Sequence, residues 1–221
     1  MSDRMKARLP LLLIFDLDGT LYQTESSFLP TMRAVYRTYG CEAPEDARIL
    51  SLIGEPFDAF LHWLARQGLS RDRAELAQAV ARHERESIDR NGSLFPGALE
   101  TLQALKQQGH LLAICTNGDR LYAGAVLRRF HLAELFDAIQ TLEDNARTKA
   151  DMINELRRSF PHRSAWMIGD RYHDLEAGRD TGCTVVAASY GYGTTEEMAS
   201  ADFHLARVTD LPALVSSVHA G

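Results

Sequence analysis

Four short apolar runs, each stopping at a polar residue, constrain this chain more than any other feature. LLLIF (11–15) stops at Asp16, LLAIC (111–115) at Thr116, AWMIG (165–169) at Asp170 and TVVAA (184–188) at Ser189. Each has the length of a strand, and none alternates apolar with polar residues. Such runs expect burial on both faces, as in a parallel sheet. FDAIQ (136–140) is a weaker run of the same kind.

Helical patterns fill the intervals. PGALETLQALKQQG (96–109) carries Pro96 near its start, Leu99, Leu102 and Leu105 on one face, and Gly109 as a stop. Tyr122, Val126 and Phe130 make a second stripe, and Thr148 with Asp151 predicts a capping box. Gly178 and Gly182 bracket the end of another helix. Strands alternating with helices predict an α/β fold with a doubly wound parallel sheet.

Residues 23–92 break this alternation. Phe28, Met32, Val35, Tyr36 and Tyr39 share one helical face, and Phe57, Phe60, Leu61 and Leu64 share another. Gly40, Gly54–Glu55–Pro56, Gly68 and Asn91–Gly92 punctuate the segment. It reads as an all-helical insert between the first two strands. The expected organisation is therefore a core of residues 1–22 and 93–221, with a helical cap domain at 23–92.

Bulk properties narrow the function. The chain has 221 residues, enough for a substantial core, with 45% apolar and 24% charged residues. A net charge of −6 gives no reason to expect nucleic acid, whose binders are usually basic. Cys41, Cys115 and Cys183 are odd in number, far apart and without CxxC spacing. They read as free thiols in a reducing, cytoplasmic setting. The basic opening MSDRMKARLP precedes an apolar run too short for a signal peptide, and no stretch approaches membrane-span length. A monomer or weak dimer without membrane or nucleic-acid partners is expected.

Open α/β sheets bind ligands at the carboxyl ends of their strands. There the first strand presents Asp16 and Asp18, the second Thr116 and Asn117, and the fourth Asp170, with Asp174 four residues on. Lys149 opens the helix before the fourth strand. Two unit charges about 4 Å apart repel by about 4 kcal/mol at an effective dielectric near 20, so clustered acids need a cation. Asp16 and Asp170 offer hard oxygens for Mg²⁺ beside a substrate phosphate. Asp16 can attack phosphorus, and Asp18 can protonate the leaving oxygen and then activate water. Thr116, Asn117 and Lys149 can hold the transferring oxygens.

In this order, DLDGT (16–20), the strand into Thr116–Asn117, Lys149 and GDRYHD (169–174) resemble the four motifs of the haloacid dehalogenase (HAD) superfamily. The likeness spans the chain. It is nearest to the phosphoglycolate-phosphatase-like and β-phosphoglucomutase-like members, which carry a helical cap after the first motif. The resemblance implies a Rossmann-like HAD core and a Mg²⁺-dependent phosphatase that hydrolyses a small phosphorylated metabolite, phosphoglycolate-like, a nucleotide or a sugar phosphate, through an aspartyl-phosphate. It implies Asp16 as nucleophile and Asp18 as acid/base. It also implies a metal held by Asp16, the Asp18 backbone carbonyl and Asp170, with Asp174 helping through water.

Each residue also has a plainer role. Asp16 and Asp18 can form a strand-end turn, and Thr116 and Asn117 can cap a helix. Lys149 can be a solvated lysine, Asp174 a helix cap, and His173 a packing or solvent-facing residue. Gly54–Glu55–Pro56 is either an interhelical turn or, as in similar capped relatives, a loop that approaches the active site. Arg33, Arg37 and Arg66 are basic cap residues able to meet a substrate anion. Asp18 and Asp170 speak against a dehalogenase. A phosphomutase and a non-catalytic binding or regulatory protein are the alternatives.

Overall fold

In the computed structural model, which describes residues 10–55, 57–70, 72–142 and 147–220, the apolar runs are strands. They are β1 (Leu12–Phe15), β2 (Leu111–Thr116), β3 (Ala138–Thr141), β4 (Ala165–Gly169) and β5 (Thr184–Ala188). A short sixth strand, β6 (Phe203–Leu205), has too few residues for its pattern to register in the sequence. The basic opening at 1–9 and Pro56 lie outside the described residues.

The sheet runs in the order β3-β2-β1-β4-β5-β6, and every pairing is parallel. β1 is an interior strand, in register with β2 on one side (Phe15 opposite Ile114) and β4 on the other (Phe15 opposite Ile168). Successive strand side chains point to opposite faces. Leu13 and Phe15 enter one core with α5 (Ala98–Gln107), α6 (Arg120–Arg129) and α10 (Leu211–Ala220). Leu12 and Ile14 enter another with α7 (Lys149–Ser159) and α8 (Tyr172–Asp180). Helices on both faces explain why the run has no polar interruption. They also remove water from both sides of the strand that carries Asp16.

Between β1 and β2 lie α1 (Glu25–Thr38), α2 (Asp46–Leu50), α3 (Phe57–Arg66) and α4 (Arg73–Asn91). Their apolar faces form a cluster of their own, which includes Met32, Val35, Tyr36, Phe60, Leu64, Leu76 and Val80. The chain leaves and re-enters the sheet region side by side. The Gln23 amide donates to the Ser93 carbonyl (2.9 Å), and the Phe95 amide donates to that of Leu21 (3.0 Å).

Expected elements shift at their ends, and three short ones are new. β2 includes Thr116 as its last residue, and β3 begins at Ala138, two residues later than the apolar run. α5 starts after Pro96, with Gly97 at its N-cap in the left-handed region (φ 81°). α9 (Thr195–Met198), like α2, is too short for periodicity to reveal.

Candidate active site

Strand order reverses around β1, whose neighbours β2 and β4 depart to opposite sides. This leaves a crevice beyond their carboxyl ends. Asp16 follows β1 directly, anchored by its amide to the Ile168 carbonyl (2.9 Å), and is 5% exposed. Asp170 follows β4 and is fully buried, as is Asp174, one turn into α8. Oxygens of Asp16, Asp170 and Asp174 all come within 4.8 Å of one another. Thr116, Asn117, Lys149 and Asp18 line the same cavity. The strand-end residues named from the sequence, with Lys149, thus converge on one place, Asp170 buried beside the cavity.

Helix starts aim the side chains. Thr148 and Asp151 form the expected capping box, which begins α7 at Lys149. Lys149 Nζ lies 2.8 Å from Asp16 Oδ1 and 2.5 Å from Asp174 Oδ1. Asp174 also accepts from the Arg171 amide through Oδ2 (3.0 Å), so it both caps α8 and positions the lysine. The plain role and the functional one coincide there. Thr116 Oγ1 accepts from the Gly118 amide (3.0 Å), which leaves its hydroxyl proton to donate. The Asn117 side-chain amide donates to the Gly54 carbonyl (3.2 Å), so that side chain is engaged by the turn at the end of α2.

Asp18 points elsewhere. Its Oδ1 accepts from Thr24 Oγ1 (2.6 Å) and from the Tyr122 hydroxyl, and the carboxylate stays outside the Asp16–Asp170–Asp174 group. Gly19 makes this divergence possible. It adopts φ 72°, and a Cβ there would stand 2.2 Å from Asp170 Oδ2. Gly169 is equally confined, since its Cβ would meet Asp174 Cγ at 2.2 Å.

Burial dominates the electrostatics. It pushes Asp16 and Asp170 well above the ordinary carboxylate range, with Asp174 adding repulsion to both and Lys149 opposing. Burial also raises Asp18, against the Thr24 and Tyr122 hydrogen bonds. For Lys149, burial alone would lower the pKa, but Asp16 and Asp174 outweigh it and raise the value. Three buried acids therefore share one lysine. Asp170 Oδ2 accepts from the Tyr192 amide (2.7 Å), while its buried Oδ1 has no hydrogen-bond partner among the described residues. Surplus negative charge and an unpartnered hard oxygen fit a divalent cation such as Mg²⁺.

The sequence did not single out several residues of this cavity. Tyr122 reads as part of a core stripe, yet its hydroxyl reaches Asp18; the cap at Asp119, which accepts from the Tyr122 amide (2.9 Å), turns it there. Thr24 is the first hydroxyl past the Tyr22 bridge. Arg171 donates through Nη1 to the Ile53 carbonyl and through Nε to Glu197 (3.1 Å), and lies 3.8 Å from Glu55. With Asn117 it fastens the 51–55 turn over the crevice, so Gly54 and Glu55 line the cavity. Arg33, Arg37 and Arg66 do not line it; all three are exposed, and Arg33 pairs with Asp46 at 2.7 Å. His173 is half-buried against Tyr172, with ring centroids 3.7 Å apart, and lines the cavity with burial lowering its pKa.

Comparison with known proteins agrees with this geometry. A 5′-nucleotidase of Pseudomonas aeruginosa is 31% identical over 195 residues, covering 84% of this chain and 86% of its own. A phosphoglycolate phosphatase of Mannheimia succiniciproducens is 28% identical over 204 residues, covering 86% and 89%. The structure of a haloacid dehalogenase-like family hydrolase from Streptococcus pneumoniae superposes with a TM-score of 0.79 at 24% identity, covering 93% of this chain and 98% of that one. The family described as haloacid dehalogenase-like hydrolase matches residues 13–188, a span that holds Asp16, Asp18, Thr116, Lys149, Asp170 and Asp174. With those side chains gathered at the carboxyl ends of β1, β2 and β4, the chain belongs to the haloacid dehalogenase-like hydrolases.

Proposed function

We propose that this protein is a Mg²⁺-dependent phosphatase that hydrolyses a small phosphorylated metabolite through an aspartyl-phosphate. The observation that carries this reading is the buried group of Asp16, Asp170 and Asp174 around Lys149, with one Asp170 oxygen unpartnered. The phosphatase names of the relatives support it. Asp16, the Asp18 carbonyl and Asp170 would hold the metal, while Asp174 orients Lys149 and helps through water. When bound, Mg²⁺ supplies charge neutralisation at the phosphoryl oxygens and to the carboxylates.

The residues then divide the work. Asp16 attacks phosphorus as its bond to the leaving oxygen breaks. Asp18 gives that oxygen its proton. Burial pushes the Asp18 carboxyl upward, the direction that suits a proton donor. Two hydroxyls fix Oδ1, which leaves Oδ2 to carry the proton. Asp18 next takes a proton from water, whose oxygen attacks the phosphorus on Asp16, and inorganic phosphate leaves. Thr116, Asn117 and Lys149 hold the phosphoryl oxygens through both steps.

Residues 23–92 act as the cap, with the boundaries where the backbone of Gln23 meets that of Ser93. The separate apolar cluster and the Asn117 and Arg171 contacts to the 51–55 turn support this division. The chain works as a monomer or weak dimer. Three free cysteines fit a cytoplasmic setting, and no helix among the described residues is long and apolar enough to cross a membrane.

A p-nitrophenyl phosphate assay tests the reading. Turnover should require Mg²⁺, stop with EDTA, and fall by at least about a thousandfold in Asp16→Asn with the fold intact. Undiminished turnover in that variant would remove Asp16 as nucleophile.

A further inference from the structure

The cavity has two unlike halves. One holds the strand-end groups just described. The other faces the helical segment and is apolar and acidic. Phe28, Leu52, Phe57 and Phe60 line it, with Phe60 5.6 Å from Phe28 and 6.0 Å from Phe57 between ring centroids. Glu84 of α4 joins them, and no other α4 side chain lines the cavity.

Charge is lopsided. Six acids line the cavity (Asp16, Asp18, Glu55, Glu84, Asp119 and Asp174). Among the described residues, the only lysine and arginine there are Lys149 and Arg171. Lys149 is held between Asp16 and Asp174, and Arg171 by Glu197, the Ile53 carbonyl and nearby Glu55. His173 also lines the cavity, half-buried against Tyr172. Mg²⁺ and Lys149 are matched by the phosphoryl group itself. Among the described residues, neither lysine nor arginine is left for a second anion on the substrate.

Glu84 sharpens the point. It has no hydrogen bond or ion pair with any described residue, and it faces Asp119 and Asp18, with only Arg85 on its own helix to offset them. Burial, then Asp119 and Asp18, push its carboxyl up to about 8. This wall thus resists even the negative charge of its own glutamate. A carboxylate placed here would add like-charge repulsion, whereas a hydroxyl or amino donor would relieve it.

Resting on the phosphatase reading above, we infer that the leaving group is uncharged, lays an apolar or aromatic face on Phe28, Phe57 and Phe60, and directs a hydrogen-bond donor at Glu84. Glu84 is thus a specificity-determining residue. It disfavours carboxylate-bearing phosphomonoesters such as phosphoglycolate and favours ring-bearing ones, of which nucleoside monophosphates are the nearest chemical class.

The test compares kcat/KM for adenosine 5′-monophosphate, phosphoglycolate and p-nitrophenyl phosphate in the wild type, Glu84→Gln and Glu84→Lys, all with Mg²⁺. The wild type should prefer the nucleotide over phosphoglycolate by at least about tenfold. Glu84→Lys should shift that ratio towards phosphoglycolate by at least about tenfold, chiefly through a lower KM for phosphoglycolate, with Glu84→Gln between. Circular dichroism and thermal melts establish that both variants fold. Should Lys destabilise α4, the Gln shift decides alone. A wild type that prefers phosphoglycolate, or ratios that stay put in folded variants, would overturn the inference while leaving the phosphatase reading intact. Absence of aryl-phosphate turnover would instead overturn that reading, and this inference with it.

Discussion

Glu84 sits in surroundings that disfavour its charge. Its folded-state pKa of about 8 stands above the ordinary 4.5 because burial and the Asp119 and Asp18 charges disfavour the ionised form. Between those values the folded protein binds more protons here than the unfolded chain does. Stability contributed at this site is therefore full below pH 4.5 and lost as pH rises towards 8. Glu84→Gln removes that loss. We expect the variant to melt higher than the wild type at pH 8, with the gap closing as pH falls to 4.5. A gap that is constant with pH, measured by thermal melts in metal-free buffer, would assign the difference to packing instead. Gly19 makes a contrasting case at the same scale, for its value lies in what it lacks. Its left-handed backbone and the 2.2 Å approach of Asp170 Oδ2 to a would-be Cβ leave room for no side chain. That is why one chain can present Asp16 to Asp170 and Asp174 and send Asp18 towards Tyr122.

At the scale of elements, each strand supplies a rigid base and each following helix start supplies the aim. α7 is the sharpest instance. Its capping box begins the helix at Lys149, and that residue's ammonium bridges Asp16 and Asp174 across elements far apart in sequence. Thr148→Ala removes the cap and should cost about 0.5–2 kcal/mol, read as a lower urea midpoint. Activity should fall by more than the folded fraction does, because the ammonium loses its fixed origin. Equal losses in both would mean that α7 contributes stability alone. The sequence stated this element correctly because capping is local chemistry. It was silent on β6 and on α2 and α9, which have 3, 5 and 4 residues and so too few to display a period.

For the whole molecule, the sheet concentrates negative charge that folding alone does not neutralise. Binding of a cation to the folded state alone should stabilise it by about 2.7 kcal/mol at a hundred times the dissociation constant. For a chain of this size each kcal/mol moves the melting temperature by about 2–4 °C, so Mg²⁺ should raise it by roughly 5–10 °C. Asp170→Asn should abolish the increment, and it should raise the metal-free melting temperature, since it removes one buried like charge. A melting temperature indifferent to Mg²⁺ at neutral pH would dismiss the carboxylate group as a metal site. At this scale the turn at 51–55 also finds its place. Its glycine reads equally as a plain turn or as a site loop, and only the Asn117 and Arg171 hydrogen bonds bring it over the crevice.

What the sequence determined by itself is what depends on neighbours along the chain. Unbroken apolar runs required strands covered on both faces. DLDGT and GDRYHD marked strand ends with paired acids, and Thr148 with Asp151 marked a helix start. Fold class and the seven candidate site residues follow from such local patterns joined by order. What only the tertiary structure decided concerns groups that meet across distance. Tyr122 reaches Asp18 across 104 positions, and Arg171 reaches Ile53 across 118. Glu84 faces Asp119 and Asp18 because α4 packs against α6, the helix that Asp119 caps. The physical reason is that hydrogen bonds and charges act over a few ångströms of space, and a sequence specifies such proximity only after its hydrophobic faces have packed.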